Sequence, residues 1–167
     1  MDDRRFEAIV RRYSSDLYRF AFWLCRNHWQ AQDLVQECFA CAWRARQSLR
    51  DEAAVKAWLF SILRNAHAST HQRKRLDLED AELDELGVAA DDMGHERVEL
   101  EECLRLLPDA YREPLMLQVL GGFSGKEIAQ MMGISEQNVM TRLCRARQSL
   151  RRLANNTPGD VPLRRTG

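Results

Sequence analysis

Apolar positions recur at helical spacing along most of this chain. In residues 5–26, Phe6, Val10, Tyr13, Leu17, Phe20 and Leu24 follow one another at steps of three or four, which predicts an amphipathic first helix. Asn27 and His28 interrupt the pattern. It resumes over 29–47 with Leu34, Val35, Cys38, Phe39, Ala42 and Trp43 facing inward. A polar turn at 47–52 leads to a third pattern, which starts near Ala53 and passes through Trp58, Leu59, Ile62 and Leu63 to the basic cluster Arg73, Lys74 and Arg75. Residues 1–86 hold neither glycine nor proline and show no strand-type alternation, so the first unit is predicted to be a bundle of three main helices.

Between Asp77 and Asp92 the composition turns acidic and small, which predicts a flexible linker with at most a helical turn around 81–86. Helical spacing returns over 96–107 with Val98, Leu100, Cys103, Leu104 and Leu107, and Pro108 stops it. A further helix is expected over 110–120. Pro114 lies inside it and is tolerable only if the helix begins no more than one turn earlier, because its ring cannot donate to a carbonyl four residues back.

Two more helices and a tight turn follow. Ser124 with Glu127 predicts a capping box, Gly133 a turn free to take positive φ, and Ser135 a second cap. Val139, Leu143, Ala146, Leu150 and Leu153 then form the inward stripe of the second helix. Small Ala129, turn residue Gly133 and aliphatic Val139, in that order, are what a helix-turn-helix requires for close packing. The opposite face carries Gln137, Asn138, Thr141, Arg142, Arg145, Gln148, Arg151 and Arg152. Amides and guanidinium groups can bond a base edge at two points, and arginines also neutralise phosphate. A helical hairpin with a solvated basic face has the same periodicity, but the residue types favour DNA binding.

The whole chain of 167 residues is electrically neutral, yet the neutrality is a sum of unlike blocks. Residues 1–76 carry 14 Lys+Arg against 8 Asp+Glu, a net of +6; residues 77–102 carry 1 against 12, a net of −11; residues 103–167 carry 10 against 5, a net of +5. Two basic units flanking an acidic one form a two-point layout, in which docking of one module raises the effective concentration of the other. The predicted architecture is all-α: a helical domain over 1–76, an acidic linker over 77–94, a helix-turn-helix domain over 95–155 and a loose tail over 156–167. The N-terminus lacks the apolar core of a signal peptide and the longest apolar run is too short to span a bilayer, so a cytoplasmic protein without membrane insertion is expected.

The five cysteines are odd in number and lie in helical patterns, which argues against a disulfide framework. Cys38 and Cys41 with His28, His67 and His71 suggest a metal or thiol-redox site. However, Cys38 belongs to the apolar stripe and no second cysteine pair completes a zinc set, so no metal and no cofactor is expected. No phosphate loop, nucleophile elbow or paired acid and base suggests an enzyme or a small-molecule substrate.

Several motifs together resemble bacterial sigma-70 family RNA polymerase sigma factors of the extracytoplasmic-function (ECF) subfamily. The run Asp33-Leu34-Val35-Gln36-Glu37-Cys38-Phe39 followed by Ala42-Trp43 is similar to that family's core polymerase-binding segment. Ala57-Trp58-Leu59-Phe60-Ser61-Ile62-Leu63-Arg64-Asn65 is similar to its promoter-melting segment. Leu107-Pro108-Asp109-Ala110-Tyr111-Arg112-Glu113 and Ser124-Gly125-Lys126-Glu127-Ile128-Ala129 resemble the opening of its second domain. The resemblance spans roughly residues 5–153 and implies a region 2-like bundle and a region 4-like helix-turn-helix domain. Its implied function is to bind core RNA polymerase and direct initiation at promoters through the −10 and −35 elements.

The resemblance also implies site residues. Asp33, Gln36 and Glu37 would contact a coiled coil of polymerase, with Leu34 and Phe39 as apolar support. Arg64, Asn65, His67, His71, Arg73, Lys74 and Arg75 would serve the −10 element, with the 47–52 loop receiving a flipped base. Gln137, Asn138, Thr141 and Arg142 would read the −35 element while Lys126, Arg145 and Arg147 hold phosphates. Trp43 and Trp58 are expected in the core. Ser69 stands where family members often carry aspartate, and Met140 where they often carry a basic residue. Partners implied are core polymerase, promoter DNA and an anti-sigma factor held at the domains. A stand-alone helix-turn-helix regulator is the rival reading, but it leaves the Asp33–Phe39 run unused.

Overall fold

A computed structural model describes residues 1–77 and 95–156, with side chains of 71–77, 95–99 and 156 outside the description. The expected helical turn at 81–86, the linker from 78 onward and the tail after 156 lie outside the described residues. Within them every regular element is a helix, without a strand. The helices are α1 (Asp3–Cys25), α2 (His28–Arg44), α3 (Val55–Asp77), α4 (His95–Leu106), α5 (Asp109–Val119), α6 (Gly125–Met132) and α7 (Glu136–Asn156), with short 3₁₀ turns at Arg46–Ser48 and Glu52–Ala54.

Local chemistry fixes most of the boundaries. Asp2 starts α1 by accepting the Arg5 amide at 2.9 Å, so this helix begins two residues before the apolar stripe indicates. Arg26 ends α1 in the left-handed region at φ 53°, and Asn27 opens α2 by accepting the Gln30 amide at 3.1 Å. Helix α2 closes at Arg44, earlier than its periodicity suggests, because the next residues tighten into a 3₁₀ turn in which Ser48 bonds the Ala45 carbonyl. Pro114 sits five residues into α5, deeper than the one turn expected. The carbonyl it cannot serve belongs to exposed Ala110, which water can reach, while the proline ring itself is buried and packed.

In the first half, α1, α2 and α3 pack against one another around Leu17, Phe20, Leu34, Cys38, Leu59 and Leu63. In the second, α5 and α6 pack on α7 around Leu117, Ile128, Val139, Leu143 and Ala146. The two sets of buried residues form one continuous cluster. They meet where α1 touches α5 and α3 touches α6, and the junction is marked by Phe60 and Phe123, whose ring centroids are 5.2 Å apart at 77°. Edge-to-face rings at this separation add to what burial alone supplies.

Candidate nucleic-acid interface

The helix-turn-helix forms from its caps outward. Ser124 accepts the Glu127 amide at 3.2 Å and donates to that residue's carboxylate at 3.1 Å, a variant of the capping box that ties the same pair together. Gly133 takes φ 66°, which suits glycine, and turns the chain toward Ser135, which accepts the Asn138 amide at 3.1 Å. Ala129, Val139, Leu143 and Ala146 are buried beneath. Gln137, Asn138 and Thr141 are exposed and Arg142 is half-exposed on the N-terminal half of α7. Arg142 Nε donates to Asn138 Oδ1 at 3.1 Å, and Thr141 donates to the Gln137 carbonyl at 3.0 Å, so this quartet is partly ordered in advance. Lys126 and Arg145 are exposed. Arg147 instead donates to Gln118 Oε1 at 2.6 Å, which clips α7 to α5. Met140 is 55% exposed beside them, with Gly125 lying under its sulfur.

On α2, exposed Gln32, Asp33, Gln36 and Glu37 form one polar stripe. Leu34 is buried in the core and Phe39 is half-buried edge-on to Phe6, so both brace the stripe from beneath. Trp29, four residues before Asp33, shares this face and is 73% exposed, a feature that apolar periodicity had no means of flagging. Trp58 is half-buried on the core, whereas Trp43, expected there as well, is half-buried edge-on to Phe6 at 5.0 Å between ring centroids, with the Arg46 guanidinium 3.9 Å over its ring.

The seven residues expected to serve the −10 element do not share one environment. Asn65 is exposed and His67 half-buried; the side chains of His71, Arg73, Lys74 and Arg75, on the last turns of α3, lie outside the description. Arg64 is turned toward the second half of the molecule. Its Nε pairs with the Glu113 carboxylate and its Nη1 donates to the Met131 carbonyl at 3.2 Å, leaving Arg64 and Glu113 side chains 24% and 20% exposed. A second acidic residue of the same α5 face, Asp109, pairs with Arg112 and faces Arg26. Burial pulls the Arg26 guanidinium below its ordinary value, with the Asp109 carboxylate opposing and the Arg105 charge reinforcing that shift. The sequence did not single out Glu113, Phe60, Phe123 or Lys56 as site residues.

The 47–52 loop is held by Asp51, which accepts the Ala53 amide at 2.9 Å, and by an ion pair between Glu52 and Arg5. A cleft of ≈180 Å³ opens there between Arg5, Ile9, Arg12, Tyr13, Glu52 and Val55. Cys38 is a protonated donor to the Leu59 carbonyl at 3.4 Å; burial, with nearby Cys41, pushes its thiol up to about 12. A thiol held in that form is a poor metal ligand or redox nucleophile. No helix among the described residues is long and apolar enough to cross a membrane.

Comparison with known proteins agrees with this geometry in both halves. The family model for Sigma-70 region 2 matches residues 9–76, and that for Sigma-70 region 4 matches residues 97–150. The ECF RNA polymerase sigma factor SigM of Bacillus subtilis is 35% identical over 160 residues, covering 92% of this chain and 98% of the relative. The ECF RNA polymerase sigma factor EcfG of Rhodopseudomonas palustris is 34% identical, covering 80% of this chain and 76% of the relative. Among solved structures, the sigma factor RpoE of Bartonella quintana, in complex with the anti-sigma factor NepR, superposes with a TM-score of 0.80 at 27% identity, covering 92% of this chain and 99% of that one. CnrH in complex with the cytosolic domain of CnrY gives a TM-score of 0.68 at 27% identity, covering 92% and 90%. With both regions matched in order and relatives aligned nearly end to end, the chain belongs to the sigma-70 family of RNA polymerase sigma factors, in its ECF branch.

Proposed function

We propose that this sigma factor binds core RNA polymerase through the exposed stripe of α2 and places the enzyme on promoters by contacts at two elements. The observation that carries the reading is the quartet Gln137, Asn138, Thr141 and Arg142, with Arg142 bonded to Asn138, on a capped helix-turn-helix, joined in one chain to the Asp33, Gln36 and Glu37 stripe. The quartet reads bases of the −35 element, and Lys126, Arg145 and Arg147 supply phosphate contacts, Arg147 by leaving Gln118. Asn65, Arg64 and His67, with His71, Arg73, Lys74 and Arg75, serve the −10 element, and the cleft beside Glu52 takes the flipped base. Core polymerase supplies the chemistry, so this chain needs no catalytic group, metal or cofactor of its own, and it works in the cytoplasm alongside that enzyme.

Two structural neighbours were solved with anti-sigma partners or, for CnrH, with the cytosolic domain of CnrY, which supports an anti-sigma factor as a third partner here. The test is transcription in vitro with purified core polymerase and genome-wide mapping of the start sites. Asp33→Ala combined with Glu37→Ala is expected to weaken core binding at least tenfold while leaving duplex −35 binding intact, because the two residues lie on the other half of the molecule. A wild-type chain that never associates with core polymerase would sink the reading in favour of a stand-alone regulator.

A further inference from the structure

Met140 follows the buried Val139 on α7 and is itself 55% exposed, on a face otherwise made of amides and guanidinium groups. It does not stand alone there. Cys144, one helical turn on, is exposed on the same side. Thr141 lies between them, and its hydroxyl donates to the Gln137 carbonyl at 3.0 Å, so it has no proton left for a base and offers its methyl group instead. The three side chains make one apolar strip, with exposed Gln137 at one end and exposed Gln148 at the other. Beside the strip run Asn138, Arg142 and Arg145, the first two bonded to each other at 3.1 Å. Met140 is supported from one side: its sulfur lies 3.4 Å from where a Cβ on Gly125 would stand, so it rests over the first residue of α6.

The major groove presents hydrogen-bonding atoms at every base pair and one apolar group, the C5-methyl of thymine. Amides and guanidinium groups answer the first; only an apolar side chain answers the second. We propose that Met140, with Cys144 and the Thr141 methyl, reads the C5-methyl group of thymine in the −35 element. The proposal rests on reading α7 as the helix that enters the major groove at that element. It adds Met140 and Cys144 as specificity-determining residues and turns Thr141 from a hydrogen-bonding contact into an apolar one. Discrimination comes from two sides. A thymine methyl laid against the thioether takes both groups out of water. Cytosine in the same place brings its N4 amino group, a donor for which the strip holds only weak sulfur acceptors, and leaving that bond unmade is costly. The unbranched methionine chain adapts to the groove, while Arg142 and Arg145 remain for guanine edges and phosphates.

The experiment uses holoenzyme assembled from core polymerase and the full chain, with a fluorescein-labelled promoter fragment carrying the −35 element located by start-site mapping. Each thymine of that element, on either strand, is replaced in turn by deoxyuridine, which removes the C5-methyl and nothing else. Competition binding reads the affinity. With the wild-type chain, one or two of these replacements should weaken binding about fourfold each, the worth of one buried methyl group. With Met140→Ala the same replacements should cost nothing, and preference for thymine over cytosine at those positions should fall; Met140→Leu should retain both. Val119→Ala removes an apolar side chain that is 66% exposed at the end of α5 and should leave the deoxyuridine profile as in the wild type. A wild-type profile insensitive to deoxyuridine throughout would overturn the proposal, as would an element without thymine or a profile that Met140→Ala leaves unchanged. Failure of the underlying −35 reading looks different: scrambling the whole element would then leave the affinity unaltered, and the proposal would fall with it.

Discussion

Arg64 of α3 and Glu113 of α5 stand 49 positions apart in sequence and form an ion pair that is about three-quarters buried on both sides. Because the pair is largely shielded from water, screening by salt is weaker than for a surface pair. Removing either partner leaves the other desolvated and alone, at a cost of about 1–3 kcal/mol. A double-mutant cycle with Arg64→Ala and Glu113→Ala, read by urea unfolding, should therefore show each single change destabilising and a coupling energy of about 1 kcal/mol or more. Strictly additive losses would mean that the pair contributes nothing to folding. This cycle reads stability alone and does not depend on DNA.

The same pair marks the limit of what the sequence conveyed. Periodicity located all seven described α-helices and the helix-turn-helix, because an amphipathic stripe and its caps are local properties: Ser124, Gly133 and Ser135 each act within a few residues of themselves. The polar face of α7 was legible for the same reason. What a face meets is not local. Arg64 reads as a DNA-facing cation from its place beside Asn65, and nothing near it announces Glu113 or the Met131 carbonyl. Phe123 reads only as the residue before a cap, although its ring joins the two cores. Pro114 shows the complementary error, since burial of its ring permits a helix that local rules discourage.

Ser135 controls the start of the proposed recognition helix through one bond to the Asn138 amide. Ser135→Ala should destabilise the second half by about 1 kcal/mol, while Ser135→Asp should preserve the cap and add a favourable charge at the helix N-terminus. Thermal unfolding followed by circular dichroism would show the order Asp at or above Ser, with Ala below. Equal stability of the three would mean that this end of α7 is fixed by packing and not by its cap.

Arg142 and Asn138 are bonded to each other and lie on the face proposed to read the −35 element. Arg142→Lys retains the charge but loses the planar fork, so it should forfeit about 1–3 kcal/mol of discrimination at one base pair and little of the non-specific affinity. Arg145→Ala, at a proposed phosphate contact on the exposed surface, should instead weaken all sequences alike and lower the salt dependence by about one counterion. Competition binding with single base-pair substitutions across the mapped −35 element separates the two behaviours. A uniform loss from Arg142→Lys would reassign Arg142 to the phosphate backbone.

Cys38 makes the alkaline stability of the first half depend on one proton. Burial first, and then the neighbouring Cys41, raises its thiol from an ordinary 9.0 to about 12. The folded chain thus keeps this proton over a range in which the unfolded chain releases it. The resulting stabilisation is fully present below pH 9 and is lost as pH rises toward 12. One retained proton corresponds to a slope of about 1.4 kcal/mol per pH unit. Cys38→Ser removes the ionisation while keeping a hydroxyl to serve the Leu59 carbonyl, so subtracting its stability from that of the wild type cancels the groups common to both. The difference should be flat up to about pH 9 and then fall at about that slope. Parallel curves throughout would show that the thiol ionises alike in both states. The same burial predicts that a maleimide labels exposed Cys144 in the native protein and reaches Cys38 only when the first half unfolds.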